Sequence, residues 1–155
     1  MSYFIRVLCE LDVSVTRREL AQFITEGAYF SDPIFSPPAE SSDALQSVWK
    51  TFVITYHHDK RPILFQRLDG VSAFAEAVEI TGKVSKVRTD ECFSLILTKL
   101  QKVKQVFVIE IDPVGLPEGA WLMLDCCESF LSRSCGGVIY APDDGFYDAD
   151  LHRIL

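Results

Sequence analysis

The segment Gln105-Val-Phe-Val-Ile-Glu-Ile-Asp112 limits the chain's possible folds most tightly. Val106, Phe107, Val108, Ile109 and Ile111 leave almost no polar position, and β-branched and aromatic side chains dominate the run. Such a strand has to be covered on both faces, so it is expected at the centre of a sheet. The rest of the chain must then supply its neighbours and its cover.

Strand patterning recurs over 3–11, 49–57 and 62–68, with Phe52, Ile54 and Tyr56 on one face of the second and a short polar turn before the third. Val138-Ile-Tyr-Ala141 and Phe146-Tyr147 read as two short strands around the turn Pro142-Asp-Asp-Gly145. A helix is expected over 15–27, where Thr16 and Glu19 have capping-box spacing and Gly27 gives a stop. A second is expected over 72–80, with Phe74, Ala77 and Val78 inward and Gly82 ending it. A third is expected over 89–103, with Thr89, Asp90 and Glu91 at its start and Phe93, Ile96, Leu97 and Leu100 as its apolar stripe. The fourth runs over 117–134, with Pro117 in its first turn, Met123, Leu124, Cys127, Phe130 and Leu131 on one side, and Gly136-Gly137 beyond its end. The prolines at 33, 37 and 38 argue against regular structure in 31–42, which reads as a covering loop or lid.

These elements define an α+β domain over 1–155: a mixed or antiparallel sheet with helices packed on one face. Strand, helix and hairpin over 1–68 match strand, helix and hairpin over 105–155, the two joined by the helices over 72–103. Cys9-Glu-Leu-Asp12 and Ile109-Glu-Ile-Asp112 close equivalent strands, and the first 112 residues also suit a ferredoxin-like split strand-helix-strand arrangement.

Charge narrows the partners. Fifteen basic against 22 acidic side chains give −7, which opposes a nucleic-acid backbone and anionic lipid and favours a basic protein partner or simply solubility. No apolar run reaches the roughly 18–20 residues of a membrane span, and no signal peptide is read at the start. Five cysteines without a Cys-x-x-Cys pair fit buried, reduced thiols in a cytoplasm, with neither a disulfide framework nor a zinc ribbon.

Three side-chain clusters remain. Asp143, Asp144, Asp148 and Asp150 are hard oxygen ligands in principle, but they lack EF-hand spacing, and turn formation explains them better. His57, His58 and Asp59 offer a general base or metal ligands, yet neighbours on a strand face opposite sides, so the two histidines share an ion only where the strand has ended. Cys126, Cys127 and Cys135 lie mid-helix or near a helix C-terminus, where the dipole opposes a thiolate, so core packing is expected; Cys92 sits near a helix start but beside Glu91. With no phosphate loop, serine elbow or His-Glu-x-x-His, no catalytic residue, metal or cofactor is assigned and the reading leans away from an enzyme.

Gly136-Gly-Val-Ile-Tyr-Ala followed by Asp144-Gly-Phe-Tyr-Asp148 resembles the ends of small bacterial proteins of unknown function, some of them similar to immunity proteins of toxin systems. A helix containing a tryptophan, here Trp121, precedes such endings. The resemblance covers about a dozen residues. It implies a bacterial cytosolic protein with a protein partner and carries over no catalytic residue. The leading expectation is therefore a non-catalytic protein-binding module, immunity-like or regulatory, with Asp144, Phe146, Tyr147 and Asp148 as contacts. An alternative is a small-molecule binder or hydrolase under the 31–42 loop, with His57 or His58 as base, Asp59 beside them and the terminal aspartates as ligands. Another is a homodimer, as against a monomer, formed through a free edge at Val138 to Ala141.

Overall fold

A computed structural model describes residues 1–86 and 90–155. The strands are β1 (Tyr3–Cys9), β2 (Ile34–Ser36), β3 (Thr51–Thr55), β4 (Ile63–Asp69), β5 (Gln105–Ile111), β6 (Gly137–Ala141) and β7 (Gly145–Tyr147). The helices are α1 (Arg17–Gly27), α2 (Gly70–Ser85), α3 (Glu91–Leu100) and α4 (Glu118–Cys135), with a 3-10 turn at Ser42–Leu45. One antiparallel sheet has the order β2-β3-β4-β5-β1-β6-β7, so the fold is α+β and β5 is its middle strand. The apolar run at 105–112 predicts that place because both faces of β5 are buried.

The connections explain the order. The path from β1 through α1 to the β3–β4 hairpin leaves β4 parallel to β1 with β5 between them. The path from β5 through α4 leaves β6 parallel to β5 with β1 between them. The four strands β4-β5-β1-β6 thus form two interleaved strand-helix-strand crossovers, with α2 and α3 inserted between β4 and β5.

Helices cover both faces of the sheet, which corrects the one-face expectation. Ile5, Val7, Phe107, Ile109 and Ile139 pack with Leu20, Ile24, Met123, Leu124, Cys127 and Leu131 of α1 and α4. Leu8, Val106, Val108, Val138 and Tyr140 pack on the other side with Ala73, Ala77, Ile80, Phe93, Ile96 and Leu100 of α2 and α3. The physical reason lies in β5, whose alternate side chains are apolar in both directions and would leave an uncovered hydrophobic face.

Local differences also have local causes. Helix α2 passes through Gly82 to Ser85 and turns its small side chains inward, so Phe74 and Val78 are 61% and 53% exposed rather than buried. Ala73 and Ala77 let this helix sit close to the sheet beside Ile80, while Phe74 and Val78 rotate outward. Helix α1 includes Gly27, and the left-handed residue is Ala28, φ 53°. Gly27 is needed for the ring of Tyr29, which occupies the space a Cβ would take. Asp90 caps α3 by accepting from Phe93 N at 3.1 Å; Thr89 lies outside the described residues.

Residues 31–42 are not without structure. Pro33 and Pro37 bracket β2, which pairs with β3 at the sheet edge, where proline costs least. Arg18 Nε donates to Ala39 O at 2.8 Å and Arg17 holds the carbonyls of Asp43 and Thr51, pinning the segment to α1. Val138 to Ala141 is not an edge either: β6 lies between β1 and β7. Beyond β7, Tyr147 forms an isolated bridge with Arg153. Among the described residues, no helix is long and apolar enough to cross a membrane.

Candidate functional site

Helix α4 is flanked by Pro117 at its N-terminal cap and by Gly136 at its C-terminal cap, whose N–H, in left-handed backbone, donates to Ser132 O. Its inward stripe, Met123, Leu124, Cys127, Leu131 and Cys135, packs on β1 and β6. Beside that stripe Trp121, Asp125 and Glu128 recur at spacings of four and three, so they share one shoulder of the helix. The shoulder faces the first residues of β1 and the β6–β7 hairpin. Between them opens a cleft of about 320 Å³ lined by Tyr3, Ile5, Trp121, Asp125, Glu128, Ala141, Asp144, Tyr147 and Leu151.

The rim is fixed by hydrogen bonds. Tyr3 Oη donates to Pro142 O at 3.0 Å, and Tyr147 Oη donates to Asp144 Oδ2 at 2.6 Å. Arg153 Nη1 approaches the other Asp144 oxygen at 3.9 Å from outside the cleft. Asp148 accepts from the backbone N–H of Asp150 and of His152, both at 2.9 Å, folding the turn that presents Leu151. Ser129 Oγ donates to Ala149 O, and Arg133 pairs with Asp150 at 2.6 Å, which ties that turn to α4.

Glu128 stands apart from these satisfied groups. It is only 6% exposed and lines the cleft, yet among the described residues no donor bonds to its carboxylate and no cation pairs with it. Burial first, and then the nearby Asp125 carboxylate, push its carboxyl up to about 8. Burial raises Asp125 as well, and it raises Tyr3, with Asp144 adding to the effect there. The Asp144 hydrogen bond raises Tyr147. No Lys, Arg or His is among the described residues lining the cleft. Among the described residues, three carboxyl groups and three aromatic rings therefore line the space and no cation does.

Of the four contacts expected from sequence, Asp144 and Tyr147 meet at this cleft. Phe146, one residue away on a strand, points to the opposite face and is 1% exposed in the α2–α3 core, so it is no surface contact. Asp148 spends its carboxylate on the turn. Asp125, Glu128 and Tyr3 were not singled out by sequence reasoning. A signal existed for Glu128, which falls four residues after Leu124 and three before Leu131, within the apolar stripe where a carboxylate breaks the pattern.

The histidine turn is a separate, exposed feature. Strand β3 ends at Thr55, so His57 and His58 both lie past it and their rings stack at 4.6 Å. Asp59 N donates to His57 Nδ1 at 3.1 Å, and His58 Nε2 lies 3.2 Å from Asp59 Oδ2. Their ligand atoms fall within 4.8 Å of one another, close enough to share an ion, and the hydrogen bonds of the turn account for the same arrangement. The groove beneath 31–42 is lined by Gln22, Thr25, Glu26, Pro33, Phe35, Ala39 and Glu40. Neither the histidines nor the terminal aspartates line it.

The cysteines are free thiols, with Cys9, Cys127 and Cys135 buried, Cys126 half-buried and Cys92 exposed. Burial pushes the Cys127 thiol up, whereas a hydrogen bond with Cys9 lowers Cys135. Comparisons with family models, curated proteins and solved structures find no match to the chain.

Proposed function

We propose that this chain is a non-catalytic protein-binding module of the bacterial cytosol, immunity-like or regulatory, whose contact surface is centred on the cleft between α4 and the β6–β7 hairpin. The observation that carries the reading is Glu128, a largely buried side chain whose carboxyl opens on the cleft with no partner among the described residues, ringed by Trp121, Tyr3 and Tyr147. Fully satisfied side chains have no need of a ligand, whereas this group gains one when a partner arrives. Aromatic residues around a desolvated centre are also the composition of binding hot spots. The net charge of −7 favours approach by a basic protein.

The test is a quantitative pull-down from bacterial lysate with wild type and a Trp121→Ala variant of confirmed folding. Trp121 is 38% exposed, so its truncation should remove contact area with little loss of stability. A basic protein retained in stoichiometric amount by wild type and released by the variant is the expected result. Retention by neither form, or equally by both, rejects the reading.

A further inference from the structure

We infer that the cleft receives an aliphatic cation, the ammonium or guanidinium head of a basic protein side chain, with Glu128 as its charge partner and Trp121, Tyr3 and Tyr147 as its walls. The inference rests on the binding reading above and names the chemistry of what is bound.

Four observations converge on a cation of this size and kind. First, Glu128 is more than nine-tenths buried, lines the cleft and is unpartnered among the described residues. An anion would meet the Asp125 and Asp144 carboxylates with like charge, whereas a cation stabilises the negative charge that Glu128 takes on when it gives up its proton. Second, the aromatic walls attract an organic cation through their ring faces as well as by contact. Third, about 320 Å³ is the volume of roughly ten waters, enough for a butyl chain and its charged head. Fourth, a metal ion fits poorly. The His57 turn is the close ligand cluster among the described residues, so the three carboxylates of the cleft are too dispersed to share one ion.

Protonation gives the inference its signature. In the empty cleft Glu128 keeps its proton to about pH 8 because of burial and of Asp125, three residues before it on α4. Tyr3 from β1, Tyr147 from β7 and Cys127 on α4 also feel its charge, and Asp144 reaches the cleft from the β6–β7 turn. A bound cation favours the carboxylate, so the Glu128 proton leaves for the buffer as the ion pair forms. Affinity should then rise about tenfold from pH 6 to pH 7 and level off above about pH 8.

Calorimetric titration of the full chain at pH 6, 7 and 9 tests this. The probes are butylammonium, butylguanidinium, butyramide as a neutral control, and capped Gly-Lys-Gly and Gly-Arg-Gly. We expect saturable binding of the cations and of the tripeptides, none of butyramide, and a heat below pH 8 that depends on the ionisation enthalpy of the buffer. Glu128→Gln, which keeps shape and loses charge, should weaken binding at least tenfold at pH 9 and abolish its pH dependence. Absence of cation binding by folded wild type at pH 9, equal binding of butyramide, or wild-type affinity in Glu128→Gln overturns the inference. Binding of the amines without the tripeptides overturns the assignment to a protein side chain. If the probes fail while Trp121→Ala still releases a protein in the pull-down, the inference falls and the binding reading stands. If the probes bind with this pH signature and no protein is retained, the binding reading falls instead.

Discussion

Two polar groups are buried on the same face of the sheet, at opposite ends of β1, and they are treated in opposite ways. At the Cys9 end, Arg67 donates from Nε to Gln105 Oε1 at 3.0 Å and from Nη1 to Asp69 at 2.8 Å, with Asp12 at 3.6 Å. Gln105 in turn donates to the carbonyls of Leu11 and Val13, both at 2.8 Å. At the Tyr3 end, six residues and about 20 Å along the strand, Glu128 has no such partner among the described residues. The first group fastens the chain leaving β1 to the inner strands β4 and β5, so its polarity is architectural. The second adds nothing to the fold and is a cost to it. Burial of a polar group therefore does not mark a site in this molecule; a largely buried carboxyl that opens on a cleft with no partner among the described residues does.

Breaking the satisfied end should be strongly destabilising. Gln105→Leu removes the donor from two carbonyls and the acceptor from Arg67 Nε, each loss costing about 1–3 kcal/mol. Urea denaturation should show a loss of roughly 3 kcal/mol or more, while cation binding by the folded fraction stays as in wild type. A variant as stable as wild type would remove the contrast between the two ends.

The unsatisfied end should respond with the opposite sign. Glu128 holds its proton in the folded state to about pH 8, against 4.5 ordinarily, so the folded form carries a proton that the unfolded form has released. Its contribution is fully present below about pH 4.5 and is lost as pH rises from there through about 8, on the order of 5 kcal/mol in all. Asp125, also raised by burial, adds loss of the same sign. Glu128→Gln should lack the Glu128 part of that decline and melt higher than wild type at pH 9. Parallel melting curves for the two proteins from pH 5 to pH 9 would show that Glu128 is solvated rather than buried.

The architectural end was partly legible in the sequence and the functional end hardly at all. The segment 105–112 announces a central strand because the run Val106 to Ile109 places apolar side chains in both directions, and the same fact requires cover on both faces. Strand and helix order followed from period-two and period-3.6 patterning, which depends on neighbours in sequence. The inward face of α2 did not, because Phe74 and Val78 match a helical stripe as well as Ala73 and Ala77 do, and only distance from the sheet decides between them. The cleft joins Tyr3, Asp125, Glu128 and Tyr147 across 144 positions of sequence, and no local pattern links them. Asp144 and Tyr147 come from the Asp144-Gly-Phe-Tyr-Asp148 ending, and Phe146 comes with them although strand alternation sends it to the other face.

The smallest effects separate two aspartates of one hairpin region. Asp148 accepts two backbone N–H groups and lines no part of the cleft, so Asp148→Ala should cost about 1 kcal/mol of stability and leave cation affinity unchanged. Asp144 lines the cleft and accepts from Tyr147 Oη, a bond that asparagine can still accept through its carbonyl oxygen. Asp144→Asn should leave the melting temperature within about 2 °C of wild type. It should also weaken cation binding about fivefold, the worth of one carboxylate acting at a few ångströms through a largely aqueous rim. The two variants remove the same functional group four residues apart, so the same pair of measurements on each reads the role of place directly. Equal binding losses would mean that net acidity draws the cation; loss in Asp144→Asn alone would mean that the lining of the cleft does.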